Sequence, residues 1–171
     1  MTDAKQSDHA LIEAIAQGDI HAFEFLYDRY ASKVLKRCYF ICLIEDQARD
    51  LMQEVWIKVF LNLHTFKKEA AFSTWLYRLT TNHCLNYLKS KGQSEKFLQA
   101  MEPEESKHID YSISVDVKNI LSKLPLEDRT ILAMKFMGEY TYEEISAACG
   151  IGVSAAKMRV SRLIAKLREE V

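Results

Sequence analysis

Apolar side chains recur at three- and four-residue intervals through most of the 171-residue chain, the spacing that lines one face of an α-helix. In the first half the stripe runs through Phe23, Leu26, Tyr27, Tyr30, Val34 and Leu35. It resumes at Leu51, Val55, Val59 and Phe60, and again at Trp75, Leu76, Leu79, Leu85 and Leu88. No glycine or proline interrupts the chain from Asp19 to Ser90, which excludes a turn-rich fold and predicts long helices. Asp19, Glu45 or Asp46, and Ser73 or Thr74 are suited to helix starts. The pattern predicts a short helix near 8–17 and three longer ones near 19–43, 46–63 and 72–90.

The character then changes. KGQSEKFLQAMEPEESKHIDYS, over 91–112, is polar and acidic and contains Gly92 and Pro103, as a linker does. Periodicity returns near 115–124, breaks at Pro125, and continues near 126–137, 141–149 and 153–170. The expected fold is all-α: two small helical domains, 1–91 and 114–171, joined by a flexible linker over 92–113. The C-terminal domain is a four-helix unit containing a helix-turn-helix.

Composition supports a core-forming helical protein, with 49% apolar, 27% charged and 11% aromatic residues, five Gly and two Pro. The length allows one medium domain or two small ones and excludes a large multi-domain enzyme. The longest apolar run, Tyr39 to Ile44, is too short for a membrane span, and the opening MTDAKQSDHA has no apolar signal region. A cytoplasmic chain without membrane insertion is expected. Cys38, Cys42, Cys84 and Cys149 lack regular spacing and read as free thiols, although Cys38, Cys42, His83 and Cys84 leave a metal site as the alternative. HExxH, Walker A and GxGxxG patterns are absent, so an enzyme is not expected, nor a cofactor.

The net charge of −1 conceals local segregation. Residues 1–30 carry mainly acids, whereas Lys67, Lys68, Arg78, Lys89 and Lys91 stand against the single acid Glu69 over 61–92. Lys157, Arg159, Arg162, Lys166 and Arg168 occupy 153–168 with no acid among them. Two cationic segments on an otherwise acidic chain point to local nucleic-acid contacts rather than bulk polyanion binding.

In TYEEISAACGIGVSAAKMRVSRLIAKL, Gly150 permits a turn between two helices and Ser146 permits their close approach. Ala156, Val160, Leu163 and Leu167 form one narrow stripe on the second helix. Ser154, Met158, Ser161 and Ala165 lie opposite, flanked by Lys157 on one edge and Arg159, Arg162 and Lys166 on the other. Small side chains between cations suit a major groove with phosphates on both banks. In DLMQEVWIKVFLNL, Leu51, Met52, Val55, Trp56, Val59 and Phe60 form the half expected to be buried. Asp50, Gln53, Glu54, Ile57, Lys58 and Leu61 form the other, where Ile57 and Leu61 suggest a protein-binding surface. FKKEAAFSTWLYRLTTNHCLNYLKSK mixes aromatics with cations and amides, as single-strand sites do, with Phe72 at the loop edge the candidate for base stacking.

Five ordered motifs carry a resemblance over nearly the whole chain: LYDRY at 26–30, DLMQEVW at 50–56, FSTWLYRLTTN at 72–82, LPLEDRTIL at 124–132 and the helix-turn-helix above. Together they resemble the extracytoplasmic-function sigma factors, the small two-domain group of bacterial sigma-70-type initiation factors. The resemblance implies that Asp50, Gln53, Glu54, Ile57 and Lys58 bind the clamp helices of the largest catalytic subunit of core RNA polymerase, with a further contact to its flap region. It implies that Lys67, Lys68, Glu69, Phe72, Ser73, Arg78, Asn82, Asn86 and Lys89 recognise and melt the downstream promoter element, the loop at 67–71 capturing a flipped base.

It also implies that Tyr142, Ser154, Ala155, Lys157, Met158, Arg159, Ser161, Arg162 and Lys166 meet the upstream element, and that an anti-sigma partner holds the factor inactive. Ala155 stands where relatives carry Thr and Met158 where Ser is frequent, implying a different preferred upstream sequence. The rival readings are an operator-binding regulator that uses the helix-turn-helix without polymerase, and a metal protein built on the Cys and His residues.

Overall fold

The computed structural model describes residues 6–91 and 115–170. The linker expected over 92–113 lies outside these residues. Among the described residues the chain is helical throughout, in the order α1 Asp8–Ala16, α2 His21–Cys42, α3 Glu45–Asn62, α4 Phe72–Ser90, α5 Val115–Lys123, α6 Leu126–Leu132, α7 Tyr142–Cys149 and α8 Val153–Glu170. A single 3-10 turn, Leu63–Thr65, follows α3.

Helix α1 starts because the Ser7 hydroxyl accepts the Ala10 backbone N–H at 3.2 Å. It is tied to α2 by Asp8, whose carboxylate accepts from Arg29 at 2.5 Å and from the Tyr30 hydroxyl at 2.6 Å. The start of α2 is held by Asp19, which accepts the His21 N–H at 3.0 Å. Helices α2, α3 and α4 pack on one another around Leu26, Val34, Leu51, Val55, Val59, Leu76 and Leu88, all fully buried. Cys38, Cys42 and Cys84 are free thiols in this core. Burial pushes the Cys42 thiol up to about 12, so it stays protonated and unreactive at neutral pH. His83 turns away from them toward Glu54.

The stretch expected as one helix over 126–137 changes character midway. Residues Ala133–Met137 form a π-helical turn, with Gly138 N–H donating to Ala133 at 2.9 Å. Helix α7 then begins at a capping box in which Thr141 and Glu144 satisfy each other's backbone N–H. It ends at Gly150, in the left-handed region at φ 65°. The turn into α8 is closed by Ser146, whose hydroxyl donates to the Ile151 carbonyl at 2.5 Å.

The two helical units share a core. Leu43, at the end of α2, packs with Leu121, Leu124, Leu132 and Leu163 of the C-terminal unit. Its backbone is left-handed, at φ 62°, which a leucine adopts only at a cost of about 1–2 kcal/mol. Burial of its side chain offsets that cost. Arg129 of α6, only 4% exposed, donates from Nη2 to the Ile41 carbonyl, one of the unsatisfied acceptors at the C-terminal end of α2. Replacing Arg129 by Ala should therefore cost about 2–3 kcal/mol, since a buried carbonyl loses its charged donor. Urea unfolding would read this as a lower midpoint at unchanged slope. An unmoved midpoint would mean that water satisfies Ile41 or that losing the buried, unpartnered Nε and Nη1 of Arg129 offsets the lost bond.

Candidate polymerase and nucleic-acid interfaces

The exposed half of α3 presents Asp50, Gln53, Glu54, Ile57 and Lys58, while Leu51, Val55, Trp56 and Val59 are buried behind it. Ile57 and Leu61 are 60% and 62% exposed, so the face combines acid, amide and bare aliphatic surface. Glu54 is steadied by His83 Nε2 at 2.7 Å. Phe60, expected in the core, is instead half exposed at the rim, edge-on to Phe23 with ring centroids 5.3 Å apart. The inner position is taken by Trp56, against which Phe23 and Tyr27 pack with ring centroids 5.9 and 4.9 Å away.

The loop before α4 carries exposed Lys67, Lys68 and Glu69. Lys68 pairs with Glu13 of α1, and the hydrogen bond and charge of that ammonium hold the Glu13 carboxyl below its ordinary value. Phe72, at the loop edge in the chain, points into the core and not outward. It is 1% exposed, ringed by Tyr30, Phe66 and Trp75 at centroid distances of 5.5, 5.6 and 5.7 Å, and so cannot stack on a base. The reason is that Phe72 is the first residue of α4, where its side chain falls onto the hydrophobic face of the helix. Ser73 beside it is half-buried. Arg78, Asn82, Asn86 and Lys89 share one face of α4 at helical spacing. Asn86 and Lys89 are exposed, whereas Arg78 and Asn82 are engaged by the C-terminal unit, Arg78 by Glu144 at 2.7 and 2.9 Å and Asn82 by the Tyr140 hydroxyl at 2.7 Å.

On α8 the buried stripe is Ala156, Val160 and Leu163, with Leu167 half-buried. The outward side carries Ser154, Ala155, Lys157, Met158, Ser161, Arg162 and Lys166, all exposed. Arg159 departs from the expected cationic edge. It donates to Asp128 at 2.7 Å and Glu127 at 3.1 Å, which bind it to α6 and raise its pKa. Arg159 thus braces the helix-turn-helix, whereas Arg162 stays exposed. Tyr142, half-buried at the start of α7, lies under the ammonium groups of Lys135 and Lys157, 4.2 and 5.7 Å from its ring centre.

Glu139, Tyr140 and Glu144 do not stand out as site residues in the one-dimensional pattern. Only the Thr141-to-Glu144 spacing signals a helix start. The Thr141 backbone N–H and the Arg78 guanidinium hold the Glu144 carboxyl below its ordinary value. Its stabilising contribution is complete above the unfolded carboxylate pKa of about 4.3 and is lost as pH falls through the lower folded value. Acidification from pH 6 to below about 4 should lower the melting temperature. Glu144→Gln should flatten that dependence, and an identical pH profile for the variant would remove Glu144 from the linkage.

An all-helical pair of units, one exposing an acidic and aliphatic helix face and the other a helix-turn-helix with a cationic outer face, defines a sigma-70-type architecture. Residues 26–94 match the family model for sigma-70 region 2, and residues 114–167 match that for sigma-70 region 4. The chain belongs to the extracytoplasmic-function sigma factors, which bind core RNA polymerase and recognise promoters. It is 27% identical to the ECF RNA polymerase sigma factor SigW of Bacillus subtilis, over 94% of each chain. It is 28% identical to the ECF RNA polymerase sigma-E factor of Haemophilus influenzae, over 91% of this chain and 90% of the relative. Its fold is similar to that of the sigma factor RpoE from Bartonella quintana, solved in complex with the anti-sigma factor NepR. That match has a TM-score of 0.61 at 20% identity and covers 88% of this chain and 97% of the other. CnrH, solved in complex with the cytosolic domain of CnrY, superposes with a TM-score of 0.58 at 23% identity over 96% of each. No described helix is long and apolar enough to cross a membrane.

Proposed function

We propose that this sigma factor docks on core polymerase through the exposed face of α3, opens the downstream promoter element with α4 and the loop before it, and reads the upstream element with α8. The observation that carries the reading is the separation of chemistries on one chain. Aliphatic and acidic side chains are exposed on α3, and cations and small side chains on α8. Asp50, Gln53, Glu54, Ile57 and Lys58 supply the polymerase contact, against the clamp helices of the largest subunit, with the C-terminal unit at the flap. Lys67, Lys68, Glu69, Ser73, Arg78, Asn82, Asn86 and Lys89 supply the downstream grip. A fitted pocket and backbone contacts offset the few kcal/mol that base extrusion costs.

The chain itself performs no catalysis and works in the cytoplasm, polymerisation belonging to the core enzyme. An anti-sigma partner, of the kind named for the Bartonella quintana relative, holds it inactive. Run-off transcription with core polymerase on fragments of the host genome tests the reading. Discrete new starts that require the protein support it. No starts, with tight duplex binding by the protein alone, would replace it by an operator-binding regulator.

At the upstream element Arg159 and Arg162 of α8 should separate. Arg162→Ala should weaken binding of the upstream duplex by about 1–3 kcal/mol. Arg159→Ala should act mainly on the stability of the helix-turn-helix, because its guanidinium is held by Asp128 and Glu127. Titrating labelled duplex against both variants, with melting curves alongside, checks this. Equal binding losses with unchanged melting would place Arg159 on the DNA.

A further inference from the structure

Arg78 and Asn82, one turn apart on α4, are met by a single short segment of the C-terminal unit, Gly138 to Glu144. Arg78 donates two parallel bonds to the Glu144 carboxylate, at 2.7 and 2.9 Å, the fork geometry by which a guanidinium also grips a phosphate. Its guanidinium carbon lies 5.0 Å from the centre of the Tyr140 ring, and it reaches the Glu139 carbonyl at 3.5 Å. The Tyr140 hydroxyl donates to Asn82 Oδ1 at 2.7 Å, a bond of the kind an amide makes with a base edge. Thr74, one turn earlier, donates to the Glu139 carboxylate at 3.2 Å. An acid in place of a phosphate, a ring in place of a base and a hydroxyl in place of a base edge together use the groups that a single strand would use.

The segment is shaped for this approach. A Cβ on Gly138 would come within 2.5 Å of the Tyr140 ring and 3.1 Å of the Thr81 hydroxyl on α4, so only glycine lets the chain lie this close. Glu139 follows in the left-handed region, at φ 57°, which non-glycine residues rarely occupy. The π-helical turn just before it directs the Met137 carbonyl to Arg37 of α2, which donates at 3.0 Å and stacks 3.3 Å from the Tyr77 ring.

We propose that the Glu139–Glu144 segment is an internal mimic of single-stranded DNA, occupying the strand-binding face of α4 so that strand capture and closure of the two units exclude one another. This deepens the reading of α4 as the downstream site and rests on it. The free factor is then self-masked. Its apparent affinity for a single strand is the open-state affinity scaled down by the fraction of molecules that are open, and any partner that parts the units unmasks the site. Linkage makes the effect reciprocal, so a strand bound at α4 must open the protein.

The test uses the full chain without polymerase and a short fluorescein-labelled single-stranded oligonucleotide of mixed sequence. The double variant Tyr140→Phe/Glu144→Gln removes the hydroxyl and the charge, while glutamine can still accept the Thr141 N–H and preserve the helix start. It should bind the oligonucleotide roughly five- to tenfold more tightly than the native chain, and adding Arg78→Ala should abolish the gain. Spin labels at exposed Ser32 and Glu169 give a second readout that needs no change in the segment. Their distance should be narrow in the native protein and broaden when oligonucleotide saturates it. The proposal is overturned if the double variant opens the units without tightening strand binding, or if a saturated native protein keeps its narrow distance. Run-off transcription by the native chain separates the two levels. Starts together with either negative result sink the mimicry alone, whereas no starts at all sink the downstream reading beneath it.

Discussion

Exchanging Ile57 and Leu61 for Glu should lower the affinity for core polymerase about 100-fold while leaving the melting temperature nearly unchanged. Both side chains are about three-fifths exposed, so the fold gains little from them, and surface changes of this kind usually stay within about 0.5 kcal/mol. An interface gains much more. Two aliphatic groups buried at the centre of a contact act as anchors, and putting two charges in their place leaves them desolvated and unpaired. On the proposed docking the neighbours Asp50, Gln53 and Glu54 would supply the polar rim, so Gln53→Ala with Glu54→Ala should weaken binding less. Competition for core polymerase against the native chain measures both. Native-like affinity of the Ile57→Glu/Leu61→Glu variant would move the polymerase contact off α3 altogether.

Phe72→Ala should destabilise the N-terminal unit by about 3–5 kcal/mol. The ring is enclosed by Tyr30, Phe66 and Trp75, and its removal leaves a cavity among side chains that cannot collapse into it. Chemical denaturation followed by tryptophan fluorescence is well placed to report this, because Trp75 is a direct neighbour. Phe72→Leu, which keeps most of the volume, should recover much of the loss. A residue that stacked on bases from the surface would behave the other way round, with DNA binding impaired and stability intact. That outcome would return Phe72 to the candidate site.

The contrast between these two residues shows what was legible in the sequence. Ile57 sits in a helix with a clear apolar stripe, and its position off that stripe sufficed to place it outside. Phe72 sits at a boundary. Periodicity defines which face a residue takes only once the helix register is known, and a first residue can be assigned to the loop or to the stripe with equal justice. Phe60 departs from the helical pattern for a related reason. A wheel marks a half-circle as apolar, but how much of that half is covered depends on what packs against it, and Trp56 covers the inner part. Arg159 and Arg78 carry a further lesson. Each lies on a cationic face in its own helix, and each is tied to carboxylates on another element, Asp128 and Glu127 in one case and Glu144 in the other. Periodicity within a helix says nothing about which acids another helix will bring.

By itself, the sequence determined the all-helical class, the position of nearly every helix, the helix-turn-helix and the outward faces of α3 and α8. Each follows from local chemistry: side-chain spacing, the lack of helix breakers from Asp19 to Ser90, and the turn at Gly150. The tertiary structure alone decided that the C-terminal unit lies on the N-terminal one, with Leu43 buried in its partner, Arg129 capping α2 and Glu144 gripping Arg78. Those contacts join residues roughly 65 to 120 positions apart, by the arithmetic of their numbers. They depend on how two finished surfaces fit, which no periodicity within either surface encodes.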